Sequence, residues 1–544
     1  MFIDTPSNTI KRIGQKVPAH LKAAFTSAFL VGLLTHGYMM ANKLPNHDEL
    51  IMMIYDNDVW GSGRWFLRFP SAISGMYSLP VVNGVLALLY IAVAACLLLA
   101  SLKITDTLAS VLVAVLMVSF PPVTATFTYM YTVDAYSFAL LLACLAVFLA
   151  ERYKYGFLFA ILPLTLSLGC YQAYFGVAAG LMVMILLFAT LDSQTELRQT
   201  IIKGGKYVGT LVASLLLYMG IARLVIWAKG GELDTYQGID QMGRLALADL
   251  PRLVGEAYAG VFRYYFTAGS LGEQYQNIHH KLAVLLFVAA FAAGGFLLVL
   301  WGGRAKIHRD GKRLLLLLAL LLLFPLGCNI VFVMTPQLRH LLMYYGLVLV
   351  LVFPVAVAAR HPIAEEIKRK LATPTRVYAI ACWIIAATLA FSIYNYAVLA
   401  NKAYLKMTLG YEQAYAQSVS LVTRIESLPG YSHDKEIVLV GLPYRDMDAQ
   451  RTVLADFDSF EIIGVHGGRL FGEIYTYHAF LNNYLGWRNP VHLSREENIK
   501  EADVAALLRE MPQYPDEGAI AIINDRIYVK FSYNPDNPVG ELYY

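Results

Sequence analysis

The sequence predicts a polytopic α-helical membrane protein, and three observations carry that reading. Of 544 residues, 58% are apolar and only 15% charged, against about 45–50% and about 25% in an average soluble domain. The mean hydropathy is +0.52, and about eleven apolar runs each approach the ~20 residues a membrane span requires. Lysine and arginine gather in alternate connecting loops. These features exclude an ordinary soluble enzyme, a disordered chain and a disulfide-rich secreted domain. The five cysteines (Cys96, Cys144, Cys170, Cys328 and Cys382) lie in or beside apolar runs with no CxxC pair, as small core residues do. A net charge of +4 gives no reason to expect a nucleic acid partner.

Taken in order, the candidate spans fall near 22–40, 80–101, 106–123, 133–150, 156–170, 173–191, 207–227, 281–301, 313–334, 340–359 and 377–398. The stretch 156–191 holds two spans if the chain turns at Gly169-Cys170-Tyr171-Gln172. Lys11, Arg12, Lys16 and Lys22 precede the first run, which therefore resembles a signal anchor behind a cytoplasmic segment 1–21. With that end inside, the inner loops are 102–105, 151–155, 192–206, 302–312 and 360–376, and basic residues make up about a quarter of them, as the positive-inside bias demands. An odd number of spans then puts everything after about residue 400 outside, on the far face of the membrane.

Composition changes there. From Asn401 onward about 13 basic residues face about 20 acidic ones, and short apolar runs alternate with turns. Strands are expected at 436–440, 460–464, 519–523 and 527–531, with Asn524-Asp525 as a hairpin turn, and a helix at 498–511. Residues 400–544 are thus a small extracytoplasmic α+β domain beside a membrane domain at 22–399.

Polar side chains inside spans are costly unless they face a cavity or a partner. His36, Asn83, Asp134, Gln172, Arg223 and Asn329 all fall near the outer ends of their runs, with Arg339 and His340 on a short outer turn. Singly, each is explained as a helix-end residue reaching the interface; as a set they outline a polar cavity open to the outside. The first outer loop, 41–79, adds Asn46-His47-Asp48-Glu49, Tyr55-Asp56-Asn57-Asp58, Trp60, Arg64, Trp65 and Arg68. Asp48 follows the first span closely, where partial desolvation makes a carboxylate a better base; Glu49 fits a solvated loop residue. The indoles suit the interfacial belt or a sugar ring, and the arginines offer forked donors to phosphate. The second outer loop, 228–280, contains an amphipathic stretch at 244–266, either a guide for a lipid tail or a lid on the bundle.

Asn46-His47-Asp48-Glu49, Ser62-Gly63-Arg64-Trp65, Tyr131-Thr132-Val133-Asp134-Ala135-Tyr136 and Cys170-Tyr171-Gln172-Ala173-Tyr174, in that order, resemble the type II O-antigen glucosyltransferase family, the membrane enzymes of bacterial serotype conversion. The likeness extends over roughly 20–400. It implies a GT-C-like bundle that moves a hexose, glucose above all, from undecaprenyl phosphate to a hydroxyl of lipid-linked or surface glycan such as the O-antigen of lipopolysaccharide. A separate donor-lipid synthase and flippase would supply that donor. An Asp-x-Asp directly after the first span is missing, although Asp56-Asn57-Asp58 has that form further along. No cofactor is expected, and a divalent metal stays open.

The residues fit this chemistry. A sugar hydroxyl is a poor nucleophile, so a carboxylate should take its proton; Asp48 is the candidate base, with Glu49 and Asp134 as supporting acids. The departing lipid phosphate needs cationic donors, for which Arg339, Arg223 and Arg64 are candidates. Trp65, Tyr171, Gln172 and His340 would hold sugar or acceptor. A single in-line displacement would invert the anomeric centre. The alternatives are a flippase or exporter of lipid-linked glycan, which should show access from both faces, and a glycan polymerase or ligase. Reporter fusions after Lys312 and after Asn401 should report opposite compartments; the same compartment for both would overturn the span count and the orientation.

Overall fold

A computed structural model describes residues 4–52, 59–231, 247–267, 280–334, 340–369, 375–441, 460–465, 474–493 and 502–532. The chain divides into two compact units, one of residues 1–42 and 56–401, the other of 43–55 and 402–544.

Among the described residues of the first unit, the amphipathic helix α1 (Pro6–Lys16) precedes α2 (Ala19–Ala41), α3 (Pro80–Leu102), α4 (Thr107–Ser119), α5 (Pro121–Phe127) and α6 (Val133–Arg152). Then come α7 (Ile161–Cys170), α8 (Phe175–Leu191), α9 (Leu197–Lys229), α10 (Leu250–Phe266), α11 (His280–Arg304), α12 (Gly311–Cys328), α13 (Val348–Arg360) and α14 (Arg376–Glu426), whose residues from Lys402 on belong to the second unit. Local chemistry sets the ends. Pro80 starts α3, because a missing N–H is harmless in a first turn. The Asp106 side chain caps α4 through the Ala109 amide at 2.8 Å, and Asp310 caps α12 through Arg313 in the same way.

Among the described residues eight helices are long and apolar enough to cross a membrane, or nine if the pair α4 and α5, bent by 42° at Phe120, counts as one span. All eight coincide with runs expected from the sequence, and the bent pair coincides with the run at 106–123. The runs at 156–170 and 340–359 are helical and apolar but short: the structure has helices over Gly156–Cys170 and Tyr345–Arg360. Hydropathy counts apolar residues and does not register where a helix stops. The turn expected within 169–172 is present: α7 ends at Cys170, Tyr171 is extended, and a 3₁₀ turn Gln172–Tyr174 leads into α8.

Helix α3 packs along α6, α2 against α3 and α4, and α8 against α12. One close approach gathers three backbones around one carbonyl. A Cβ on Gly346 would lie 2.2 Å from the Cys328 oxygen at the end of α12, and one on Gly176 of α8 would lie 2.7 Å from the same atom. Only glycine permits this. Cys144, Cys170 and Cys328 are buried thiols.

In the second unit, β1 (Ile437–Val440), β2 (Val491–Leu493), β3 (Ile520–Ile523) and β4 (Arg526–Lys530) form one sheet in the order β2-β1-β4-β3. The first two pairings are parallel and the last antiparallel. Alternation along the strands divides the core. Ile437, Leu439, Ile527 and Val529 pack with Leu421 and Ile425 of α14 and with Tyr477, Phe480 and Leu481 of α15 (Ile474–Leu485). Val438, Val440 and Tyr528 pack with Val504 and Leu508 of α16 (Ala502–Glu510). Helices thus cover both faces, as parallel strands require. Asn524 and Asp525 both have positive φ, 48° and 64°, the geometry of a two-residue hairpin turn. The run 460–464 is no strand, and β2 and α15 were not foreseen. Residues 43–52, expected in an outer loop of the membrane domain, belong to this unit: Leu50 sits in its core and the Asn483 amide donates to the Leu50 carbonyl at 3.0 Å.

Gly346→Ala should lower stability by about 1–3 kcal/mol, the usual effect of overpacking, read as a lower midpoint of thermal unfolding in detergent. An unchanged midpoint would show that the backbone near Cys328 gives way freely.

Candidate functional site

The break between α7 and α8 frees Tyr171 and Gln172 from helical geometry, and the segment 59–67 docks on it. Its 3₁₀ turn Trp60–Ser62 ends at Gly63 with φ +73°, and a Cβ there would fall 2.5 Å from the Tyr218 hydroxyl. The Phe66 amide donates to the Gly169 carbonyl at 2.9 Å, and Gln172 Nε2 donates to the Ser62 carbonyl at 3.3 Å and to the Tyr218 hydroxyl at 2.8 Å. Arg64 is held between these elements. Its Nη1 donates to the Tyr136 hydroxyl at 2.8 Å, and its guanidinium lies 5.9 Å and 5.5 Å from the ring centroids of Tyr136 and Tyr171. Those two rings stack at 4.2 Å and 11°. Cation–π contact and a hydrogen bond together orient the fork of the arginine.

The aromatic surface continues from Tyr171 to Tyr174 at 5.7 Å, Tyr345 at 5.6 Å and Phe120 at 6.0 Å. Two polar atoms next to Arg64 in sequence or in space are buried without a hydrogen-bond partner among the described residues: Nε1 of Trp65 and Nδ1 of His340. His340 is near enough to the Arg64 guanidinium to feel its charge. Buried polar atoms are normally paired, so this cluster has the character of a site shaped for a ligand's oxygens.

Asp134 stands apart from it. Two positions before Tyr136, it faces the opposite side of α6, where its Oδ1 accepts from Asn83 Nδ2 of α3 at 3.3 Å, close to Ser74. It is 1% exposed. Asp48 and Glu49 lie in the second unit. Asp48 keeps 38% of its side chain exposed and pairs with His47 at 3.2 Å, whereas Glu49 is buried and paired with Lys43; the expectation of a solvated Glu49 is corrected. Arg223 is exposed on α9 and is not joined to the Arg64 network. Arg339 and Asp56-Asn57-Asp58 lie outside the described residues. His36 is engaged in packing, with Nε2 2.9 Å from the Val118 carbonyl and its ring stacked on Phe127, and Asn329 donates to the Ala257 carbonyl of α10.

The structure therefore brings together Arg64, Trp65, Tyr171, Gln172 and His340 of the expected set, and adds Tyr136, Tyr174 and Tyr218. Tyr136 lay in a quoted motif without a role. Tyr218 had no signal beyond a hydroxyl within an apolar run.

A family model described as Glucosyl transferase GtrII matches residues 37–355, more than half of the chain and all of the Arg64 network. The chain belongs to this family. No curated protein and no solved structure matches it. As a GtrII member the protein is a glycosyltransferase, a membrane enzyme of glucosyl transfer in glycan modification.

Tyr136→Phe in this GtrII protein keeps the stacking on Tyr171 and removes the acceptor for Arg64. Stability should fall by about 1 kcal/mol, since the bond is charge-assisted but partly open to solvent; thermal unfolding of the pure protein measures it. A loss of several kcal/mol would mean that the hydroxyl also holds something else.

Proposed function

We propose that this GtrII member moves glucose from a polyprenyl-phosphate-sugar, undecaprenyl phosphate in a bacterium, to a hydroxyl of a lipid-linked or surface glycan such as O-antigen. In this reading the transfer takes place on the outer face of the cytoplasmic membrane, inverts the anomeric centre, and draws on a donor made and flipped by other proteins. The observation that supports it best is the clasped Arg64 beside the unpartnered N–H of Trp65 and the ring of His340. Charge builds on the lipid phosphate as the glycosidic bond breaks, and an arginine already oriented before the reaction stabilises that charge without reorganisation. Tyr171, Gln172 and Trp65 supply what a hexose needs, an aromatic face and amide and indole donors. Arg339 and Arg223 remain candidate donors to the same phosphate on the strength of their sequence positions.

The acceptor hydroxyl loses its proton as it attacks the anomeric carbon, and we assign that proton to Asp48. Its carboxylate is open to solvent, and the neighbouring imidazole of His47 offers the proton a way out. Glu49 is paired with Lys43 and Asp134 is enclosed, so both serve better as supporting acids.

The test is transfer from polyprenyl-phosphate glucose by the full-length protein in nanodiscs. Asp48→Asn should reduce turnover about 10²–10⁴-fold, the usual contribution of a general base, while the protein stays folded and still binds donor lipid. Turnover near wild type in Asp48→Asn, with Asp134→Asn inactive, would move the base to α6 and overturn the assignment.

A further inference from the structure

The helices that carry Asp134, Asn83 and Gln172 at one end build a second polar site at the other. On α6, Glu151 is 17 positions beyond Asp134, roughly 25 Å along the axis. There a cavity of about 210 Å³ is lined by Lys103 after α3, Glu151 of α6, Asp192 after α8, Thr200 and Lys203 of α9 and Arg360 of α13.

The acidic members of this lining are already engaged. Glu151 Oε2 is 2.5 Å from Lys203 Nζ and accepts from the Tyr207 hydroxyl at 2.7 Å, and its Oε1 is 3.6 Å from Lys103. Asp192 accepts from the Gln194 amide and the Thr195 hydroxyl. The capacity left over is for donation. Arg360 is largely enclosed, lies 4.3 Å above the ring of Phe188, and makes no hydrogen bond or ion pair among the described residues. The Thr200 hydroxyl is buried without a partner among them. The Arg360 guanidinium has the carboxylates of Glu151 and Asp192 within electrostatic range but hydrogen-bonds to neither, and three cations with an idle hydroxyl, beside two carboxylates already engaged, match a tetrahedral oxyanion.

We propose that this cavity binds a phosphate group, as a second ligand site distinct from the Arg64 cluster. The Arg360 fork and the Thr200 hydroxyl donate to the phosphate oxygens, and Lys103 and Lys203 neutralise its charge. The group comes either from a phospholipid headgroup or from a free phosphate compound.

Thermal unfolding of the full-length protein in detergent tests this with two probes: inorganic phosphate against chloride at equal ionic strength, and micelles doped with phosphatidic acid against diacylglycerol. At least one phosphate probe should raise the melting temperature. In Arg360→Gln the concentration needed should increase about tenfold or more, the equivalent of one lost charge-assisted hydrogen bond; Lys103→Gln, at an exposed position, should weaken binding with less risk to folding. Arg309→Gln, outside the cavity, should behave as wild type. A response to inorganic phosphate shows that the group alone is recognised, and a response to phosphatidic acid only assigns it to lipid. No rise in the wild-type protein, a rise unchanged in both cavity variants, or an equal loss in Arg309→Gln would overturn the proposal.

Discussion

A peptide group in hydrocarbon has no water to bond to, and this constraint governs where the bundle places its chemistry. Regular helix satisfies every backbone donor and acceptor, so a break inside the apolar layer survives only where other protein groups surround it. Two such breaks are described, at Phe120 between α4 and α5 and at Tyr171 between α7 and α8, and both residues are buried. The second one is what turns a transmembrane hairpin into a site. It releases the Gly169 carbonyl to receive the Phe66 amide, and so fixes the loop that carries Arg64 and Trp65. It also turns Tyr171 onto Tyr136 and Gln172 onto Tyr218.

How much of this could be read from the sequence follows from the range of each interaction. Apolar length is local, so the positions of the helices were legible, as was the Asn524-Asp525 turn, whose residue types favour positive φ. The α7 and α8 turn was legible because glycine, cysteine, tyrosine and glutamine interrupt a continuous apolar run. Strand order was not, since β1 pairs with β2 and β4 across long intervals and a four-residue strand carries no partner information. The same holds within the site. Sequence depth collected Asp134, Gln172, Arg64 and His340 at one level but could not resolve azimuth, and azimuth sends Asp134 towards Asn83 while Tyr136 turns to Arg64. Residues 43–52 were misplaced for a similar reason: nothing local to Leu50 announces a core whose other members begin at Ala414.

Charge is handled in two different ways along the same helices. At the Arg64 end a cation is cradled by aromatic faces, a setting that keeps the guanidinium oriented. At the Arg360 end three cations, Lys103, Lys203 and Arg360, share a cavity with two carboxylates, Asp192 and Glu151, the latter already held by Lys203 and Tyr207. Two carboxylates among three cations lessen repulsion without neutralising the group, so a net positive potential is retained there.

The membership of Leu50 in the core of the second unit has a consequence for biogenesis. Its partners Ala414, Leu439, Phe480 and Val529 leave the ribosome hundreds of residues later, so the segment 43–52 must wait, unpartnered, through the synthesis of nearly the whole bundle. Closing a contact over such a sequence interval is slow, and during that delay an apolar side chain stays available to chaperones or to the wrong strand. A chain cut short before the sheet therefore lacks more than its final domain: it leaves Leu50 near its beginning with no core to enter.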